Sequence, residues 1–343
     1  MNSQKYIFYI IFISSYLLGK TPIEYTIGIT GGYDNNVLRF STYEFGEAAL
    51  DNSLMGGAST FDSFVYKLRL SGKKSVWHSR RKDFSINGFY SWSDYQNNTK
   101  RKYWSGGLDA IYKWGSYKNI KYSVRHLNSF YLRHYINRDI SNDLLAPCYF
   151  TDRNQSITIT QKILRESWIN LSTGYLQRYY DKPFTEFDLD IHYIKGRVNY
   201  KIKRIATISF QINRGHARST SHLSTERPSS FNRSYNNMEW YMPVKIHRNI
   251  PIVDEIGFSI REEYRKYGAE DPDDPLHAGR DHIDSKYDVW VKKEIFEAVS
   301  VLFTGRYRIR TTDSAYEWVK DLKSFNQIQF WCKIEWDMVY DRY

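Results

Sequence analysis

Near the start of the chain Ile23, Tyr25, Ile27, Ile29 and Tyr33 alternate with Glu24, Thr26, Gly28, Thr30 and Gly32. A repeat of 180° per residue is the period of a β-strand with one apolar face. The same alternation sets Phe64, Tyr66, Leu68 and Leu70 against Ser63, Lys67, Arg69 and Ser71, and Phe84, Ile86, Gly88, Tyr90 and Trp92 against Asp83, Ser85, Asn87 and Ser91. Further strands are predicted over 101–115, 119–136, 151–163, 167–180, 186–202, 204–214, 234–247, 254–267, 282–293, 298–311 and 324–340. The last is the clearest, with Ile328, Phe330, Cys332, Ile334, Trp336, Met338 and Tyr340 on one face and Gln327, Gln329, Lys333, Glu335 and Asp337 on the other. Two details break the pattern. His126 and Asn128 fall on the apolar face of the fifth strand, and the eighth changes phase between Tyr193 and Val198, which a bulge near Lys195-Gly196 would repair.

Long connections near 34–61, 137–150, 215–233, 268–281 and 312–323 are separated by tight ones near 116–118, 164–166, 203 and 294–297. Every strand is joined to the next as a hairpin, so the fold class is all-β: an antiparallel up-and-down barrel of about fourteen strands in meander order. Soluble strands average 5–6 residues, whereas a tilted strand needs 9–11 to cross a bilayer. The strands here run to about 11–17 residues, which selects a transmembrane barrel.

Composition now has a cause. Tyr, Trp and Phe number 30, 10 and 19, yet mean hydropathy is −0.61. Only one face of each strand meets lipid while the other meets a wet interior, so an integral protein of this kind is hydrophilic on average. With 41% hydrophobic residues the chain is too apolar for disorder, and no mature stretch has the length of a membrane-spanning helix. Residues 1–19 place Lys5 before an apolar run from Tyr6 to Leu18 and read as a secretory signal peptide, leaving 20–343 as the barrel. Cys148 and Cys332 supply neither a disulfide framework nor a thiolate zinc site.

With these strands in place, the chain resembles a bacterial outer-membrane β-barrel protein of the porin-like type. Gly32-Tyr33-Asp34-Asn35-Asn36 is similar to a Gly-Tyr-Asp-x-Asn stretch that closes the first strand in several such families, and the likeness spans about 23–343. It implies residence in the outer membrane, with membrane lipid, lipopolysaccharide and the barrel assembly machinery as partners. Many such barrels end in an aromatic residue with another two positions before it. Tyr343 meets the first condition, while Asp341 stands at the second position and the nearest aromatic is Tyr340.

Fourteen strands exceed the eight that side chains can fill and fall short of the sixteen to eighteen of wide pores, so a lumen is expected. Its candidate solute pathway is the basic inward phase: Lys67, Arg69, Lys121, Arg125, Arg133, Arg261, Arg306, Arg308, Arg310 and Lys333, with Lys162 and Arg265 in the same phase. Rings of basic side chains favour anions. Glu24, Asp83, Asp188, Asp190, Glu239, Glu263, Asp284, Asp288, Glu335 and Asp337 share that phase, so the same residues serve equally as ion pairs that crosslink the interior. Loop 34–61 carries Phe45, Leu50, Leu54 and Met55, more apolar surface than a solvated loop needs; it either folds into the mouth or packs on itself at the surface.

The net charge of +11 comes from dispersed residues, with no basic patch interleaved with stacking aromatics, so nucleic acid is not an expected partner. The four acids within 269–275 lack calcium-loop spacing and read as a solvated external loop. No phosphate loop, zinc motif, dinucleotide fingerprint or nucleophile elbow occurs, and no cofactor is implied. A lipid or lipopolysaccharide hydrolase would have to bring Ser together with His, among them His126, His134, His192, His216, His222 and His247, at one interface. The expected function is a passive or weakly anion-preferring channel for small hydrophilic solutes. The alternative is a non-conducting barrel that presents loops such as 215–233 and 268–281 to a partner, or assists assembly of surface components.

Overall fold

Alternation along each strand, carried through every hairpin, closes the chain on itself. The computed structural model describes residues 21–340 apart from 138, 142, 204, 220–230, 248–251 and 272. The signal-peptide reading of 1–19, the carboxy-terminal Asp341 and Tyr343, and His222 fall outside the described residues. The strands are β1 (Ile23–Asp34), β2 (Ser63–Ser79), β3 (Lys82–Tyr95), β4 (Tyr103–Gly115), β5 (Lys118–Ile136), β6 (Leu145–Leu164), β7 (Ser167–Tyr180), β8 (Leu189–Ile202), β9 (Ala206–Arg218), β10 (Tyr235–Ile246), β11 (Glu255–Tyr267), β12 (Asp281–Phe296), β13 (Val299–Asp313) and β14 (Phe325–Tyr340). Among the described residues two α-helices lie in loops, α1 (Thr42–Leu50) and α2 (Glu317–Lys323). Each strand pairs antiparallel with its neighbours in sequence, and β1 closes the barrel against β14 from Ile23 opposite Tyr340 to Asp34 opposite Gln329. Closure leaves no open edge, so every wall strand satisfies its backbone groups within the sheet.

The outward face is apolar around the whole circumference. Ile29, Phe64, Leu108, Ile157, Leu171, Ile194, Phe210, Met238, Phe258, Val289, Phe303 and Phe330 are all exposed, one from nearly every strand. A soluble monomer seldom exposes more than a few hundred Å² of contiguous apolar surface, so a complete belt is a lipid-facing surface. Aromatic pairs edge it: Tyr90 stacks on Trp104 at 5.9 Å toward the long-loop end, and Trp77 on Tyr112 at 6.4 Å toward the short turns. Long loops mark the extracellular end of such barrels and short turns the periplasmic end.

The structure resolves both irregularities in the alternation. In β5 the register shifts between Leu127 and Phe130, where Ser129 adopts φ 45°, and again between Tyr131 and Arg133. The first shift turns Phe130 inward, with its ring 5.2 Å from that of Phe150, and leaves His126 outside against Trp104. In β8 the proposed bulge near Lys195-Gly196 is absent, because pairing with β7 and β9 is continuous. Leu189 and Ile191 instead point inward, where they pack with Ala217 and Tyr235, and Ile194 and Val198 stay in the lipid-facing phase. Asp190 is therefore on the outward side, accepting a hydrogen bond from Tyr175, contrary to its expected inward place. β6 also starts at Leu145, six residues before the predicted start, which puts Cys148 in the buried wall.

Close approach explains two inward glycines. A Cβ at Gly32 would stand 2.1 Å from the Trp331 ring, and one at Gly174 would stand 2.3 Å from that of Tyr193. The missing side chains let these rings lie flat across the neighbouring strand, a device that supports barrel curvature. Tyr193 thereby reaches Asn154, donating at 3.0 Å. Gly174→Ala is expected to displace the ring and cost about 1–3 kcal/mol. The urea-unfolding midpoint of the refolded barrel reads this, and an unchanged midpoint would show that Tyr193 moves freely.

Candidate functional site

The interior is built from charges in alternate register on β11 to β14 and β4 to β7. Arg306 Nε donates to Asp288 Oδ1 at 2.6 Å, and Arg308 holds Asp284 through two bonds of 2.8 and 2.5 Å. Arg310 binds the same Asp284 at 2.7 Å and Lys286 approaches it at 3.7 Å, so one fully buried carboxylate serves three cations. Arg125 pairs with Asp109 at 2.6 Å, Arg178 with Asp152 at 2.8 Å, Arg265 with Glu263 at 2.7 Å and Lys333 with Glu335 at 2.5 Å, while Arg261 lies 4.0 Å from Glu239. The arginines of β13 are thus ion-paired as well as aligned. Lys121 occupies the inward phase of β5 beside Arg125.

Inward aromatics form the second half of the interior, and the sequence reading passed over them. Phe89 lies between Arg69 and Arg125, whose guanidinium carbons are 4.2 and 5.0 Å from the ring centre. Lys67 Nζ sits 3.9 Å over Trp331, and Phe150, Tyr235 and Phe325 lie under Arg178, Arg265 and Arg308. A desolvated cation over a ring gains about 2 kcal/mol, so these faces accommodate charge that carboxylates do not cover. Each of these rings occurs at a polar-phase position, where alternation alone reads an exception.

The long loop 35–62 folds into the mouth and does not pack on the surface. Its apolar residues supply the reason: Val37, Leu38, Phe40, Ala48, Met55 and Ala58 are buried in one cluster with Val65 of β2, Tyr95 of β3 and Tyr131 of β5. Phe45 packs edge-on to Phe61 at 4.6 Å within it. The Gly-Tyr-Asp-x-Asn segment is the anchor. Gln327 of β14 donates to both oxygens of Asp34, at 2.8 and 3.0 Å, and to Asn36 O at 2.9 Å. The Asn36 side chain accepts from Phe40 N and donates to Phe40 O, tying off a tight loop with Arg39 at its tip at φ 58°. A positive φ in a non-glycine residue is uncommon, and this tight loop holds it there.

Ser41 and Glu44 form a capping box that starts α1, and Glu44 also accepts from Arg133 Nη1. Arg133 Nη2 donates to Leu38 O at 2.7 Å and to Arg39 O at 2.8 Å, while Arg101 Nη1 donates to Val37 O. Arg133 is the one predicted pathway residue that bonds the loop directly among the described contacts. Arg39, Arg101, Glu44 and Lys323 are functional candidates the sequence reading did not assign. α2 packs on β13 and α1 and brings Lys323 to the same place. Burial pushes Lys323 down to about 8, with Arg133 and Arg280 adding to the shift and Glu44 opposing it.

Among the described residues no group of three or more His, Cys, Asp and Glu is placed to hold a metal. In the acidic loop Asp274 is buried and bonded to His277 Nδ1 at 2.8 Å. Burial lowers His277 to about 4, against the pull of Asp274 and helped by Arg280 and Arg233. A histidine depressed in the folded state stabilises it above its unfolded pKa of about 6.5, and that stability is lost as pH falls through the folded value. Loop 268–280 should therefore loosen between about pH 6.5 and 4. Limited proteolysis across that range tests it, and a cleavage rate that does not rise on acidification refutes it. His192 and His216 face each other across β8 and β9 on the outward side, where Tyr175 stacks on the first at 4.7 Å and Asn236 bonds the second at 2.9 Å.

No protein-family model matches the chain, and no curated protein matches it by sequence. Solved structures of similar shape include a loop-deletion form of OmpT, an outer membrane protein of Vibrio cholerae, at 8% identity and TM-score 0.45, covering 93% of this chain and 100% of that one. OprD of Pseudomonas aeruginosa matches at 10% identity and TM-score 0.41, covering 92% and 95%. OpdK of Pseudomonas aeruginosa, crystallised with vanillate, matches at 7% identity and TM-score 0.40, covering 93% and 99%. At such identities and scores the likeness is one of general barrel shape.

Proposed function

We propose that this bacterial outer-membrane barrel is a passive, weakly anion-preferring channel for small hydrophilic solutes, narrowed at its mouth by loop 35–62 and α2. The observation that carries the reading is the placement of that loop: it bonds β5 through Arg133 and β14 through Gln327, so it crosses a lumen whose walls are charged. Fourteen strands make a wall wider than side chains alone fill, and an interior of paired charges stays wet. Excess positive charge at the constriction favours anions by focusing the field. The reading assigns no catalytic residue and no cofactor. Its partners are small solutes, membrane lipid and lipopolysaccharide, with the barrel assembly machinery acting during insertion.

A specific observation supports a second reading. The loop is buried by a sizeable apolar cluster and the β13 arginines are ion-paired with Asp284 and Asp288, features that suit a closed barrel presenting its outer loops to a partner. Single-channel recording of the refolded protein in planar bilayers, with reversal potentials in a salt gradient, separates the two. Steady current steps with anion preference are expected. Silence from correctly folded protein selects the closed barrel.

A further inference from the structure

Beneath loop 35–62, between β5 and β13, lies a cavity of about 130 Å³. Arg39, Arg101, Arg133, Arg310 and Lys323 all line it, each from a different segment of chain. The carboxylates bonded to these groups are Glu44, on Arg133, and Asp284, on Arg310; Asp284 is shared with Arg308 and Lys286 as well. The site therefore holds more positive charge than its own acids offset. Enclosed charge without a counter-charge is costly, so the fold leaves room for an anion.

Two features point the spare capacity at a ligand. Arg101 is only 4% exposed, and its Nε is buried without a hydrogen-bond partner, as is the Nε of Arg39. Arg39 reaches the cavity from a left-handed backbone position that Asn36 and Gln327 hold in place. Leu38, Leu132, Tyr135, Leu322 and Phe325 complete the walls. One water occupies about 10–15 Å³ by a comparable measure, so the space admits an oxyanion with a short carbon chain.

We infer that this cavity is a binding site for a small oxyanion, a carboxylate or phosphate, held by the guanidinium groups of Arg39 and Arg101 and by Lys323 as a point charge. Guanidinium forks match carboxylate and phosphate oxygens, and an ammonium supplies adaptable donors. The bound anion also ties loop 35–62 to α2, since Arg39 belongs to the first and Lys323 to the second. Occupancy does not require conduction, so the site stands or falls apart from the channel reading.

The test uses the full mature chain refolded in zwitterionic detergent free of lipopolysaccharide, which removes lipid phosphate as a source. Inorganic phosphate and succinate are titrated separately by isothermal calorimetry against a chloride control of equal ionic strength. Saturable binding of at least one is expected. Arg39→Gln should weaken it by roughly tenfold or more, and Arg165→Gln, in an exposed turn between β6 and β7, should leave it unchanged. Lys323→Gln provides the same reading if the Arg39 variant fails to fold. Responses no larger than those to chloride, or binding that survives both cavity variants, overturn the proposal.

Discussion

A barrel lacking residues 44–58 should pass several-fold more current per channel than the intact protein, with weaker ion selectivity. The deletion removes most of α1 and the turn of 3-10 helix Asn52–Met55, along with the buried Ala48, Met55 and Ala58. It touches no strand, and the walls on either side, β1 and β2, keep their continuous register from Ile23–Lys74 to Asp34–Ser63. Loss of the loop also frees Arg133 from Glu44 and opens the basic cavity to bulk water, where screening weakens its field. Folding is verified by heat-modifiable migration, and conductance is then read in planar bilayers. Equal step sizes in the two proteins would mean that the limiting constriction lies elsewhere, with α2 and residues 314–324 as the remaining cover at that end.

Asp284→Ala should be the most damaging single substitution in the wall, costing about 3–5 kcal/mol. Asp284 has no exposed surface and is bonded by Arg308 and Arg310, with Lys286 nearby. Removing it leaves three cations facing each other in a partly enclosed interior, and the cost is mostly that of stranded charge. Asp284→Ala combined with Arg308→Met should recover part of the loss by taking one cation away. Urea unfolding followed by tryptophan fluorescence gives both values. A single-variant cost under about 1 kcal/mol would show that water reaches these groups well enough to solvate them, since exposed pairs are worth no more than that.

Alternation in the sequence located all fourteen strands because a wall between lipid and water imposes period two on every strand, and that constraint is local. It failed where a residue's surroundings are not those of its phase. Leu189 and Ile191 are apolar yet inward because they meet Ala217 and Tyr235, contacts made by β9 and β10. Phe89 and Trp331 are likewise inward because Arg69 of the adjacent strand covers the first and Lys67, reaching from β2 past β1, covers the second. The bulge in β5 follows from pairing with β6, and its sequence trace was only the misplaced His126 and Asn128.

The candidate site divides in the same way. Inward cations on the walls, twelve in all, are readable because inwardness is a property of phase. Their partners were not readable, since Asp284 meets Arg308 and Arg310 only through the β12–β13 register. Arg39 stands three positions past the Gly-Tyr-Asp-x-Asn segment, where alternation assigns it no role. Its function depends on Gln327, 288 positions away in sequence, holding the loop inside the barrel, and on Lys323 arriving from α2. A transmembrane meander with a charged interior is legible in the residues alone, because lipid on one side and water on the other write themselves into each strand separately. That the first loop closes over this interior and gathers five cations around one cavity emerges only in the folded barrel, because burial of Val37, Phe40 and Met55 is settled by what lies across the lumen.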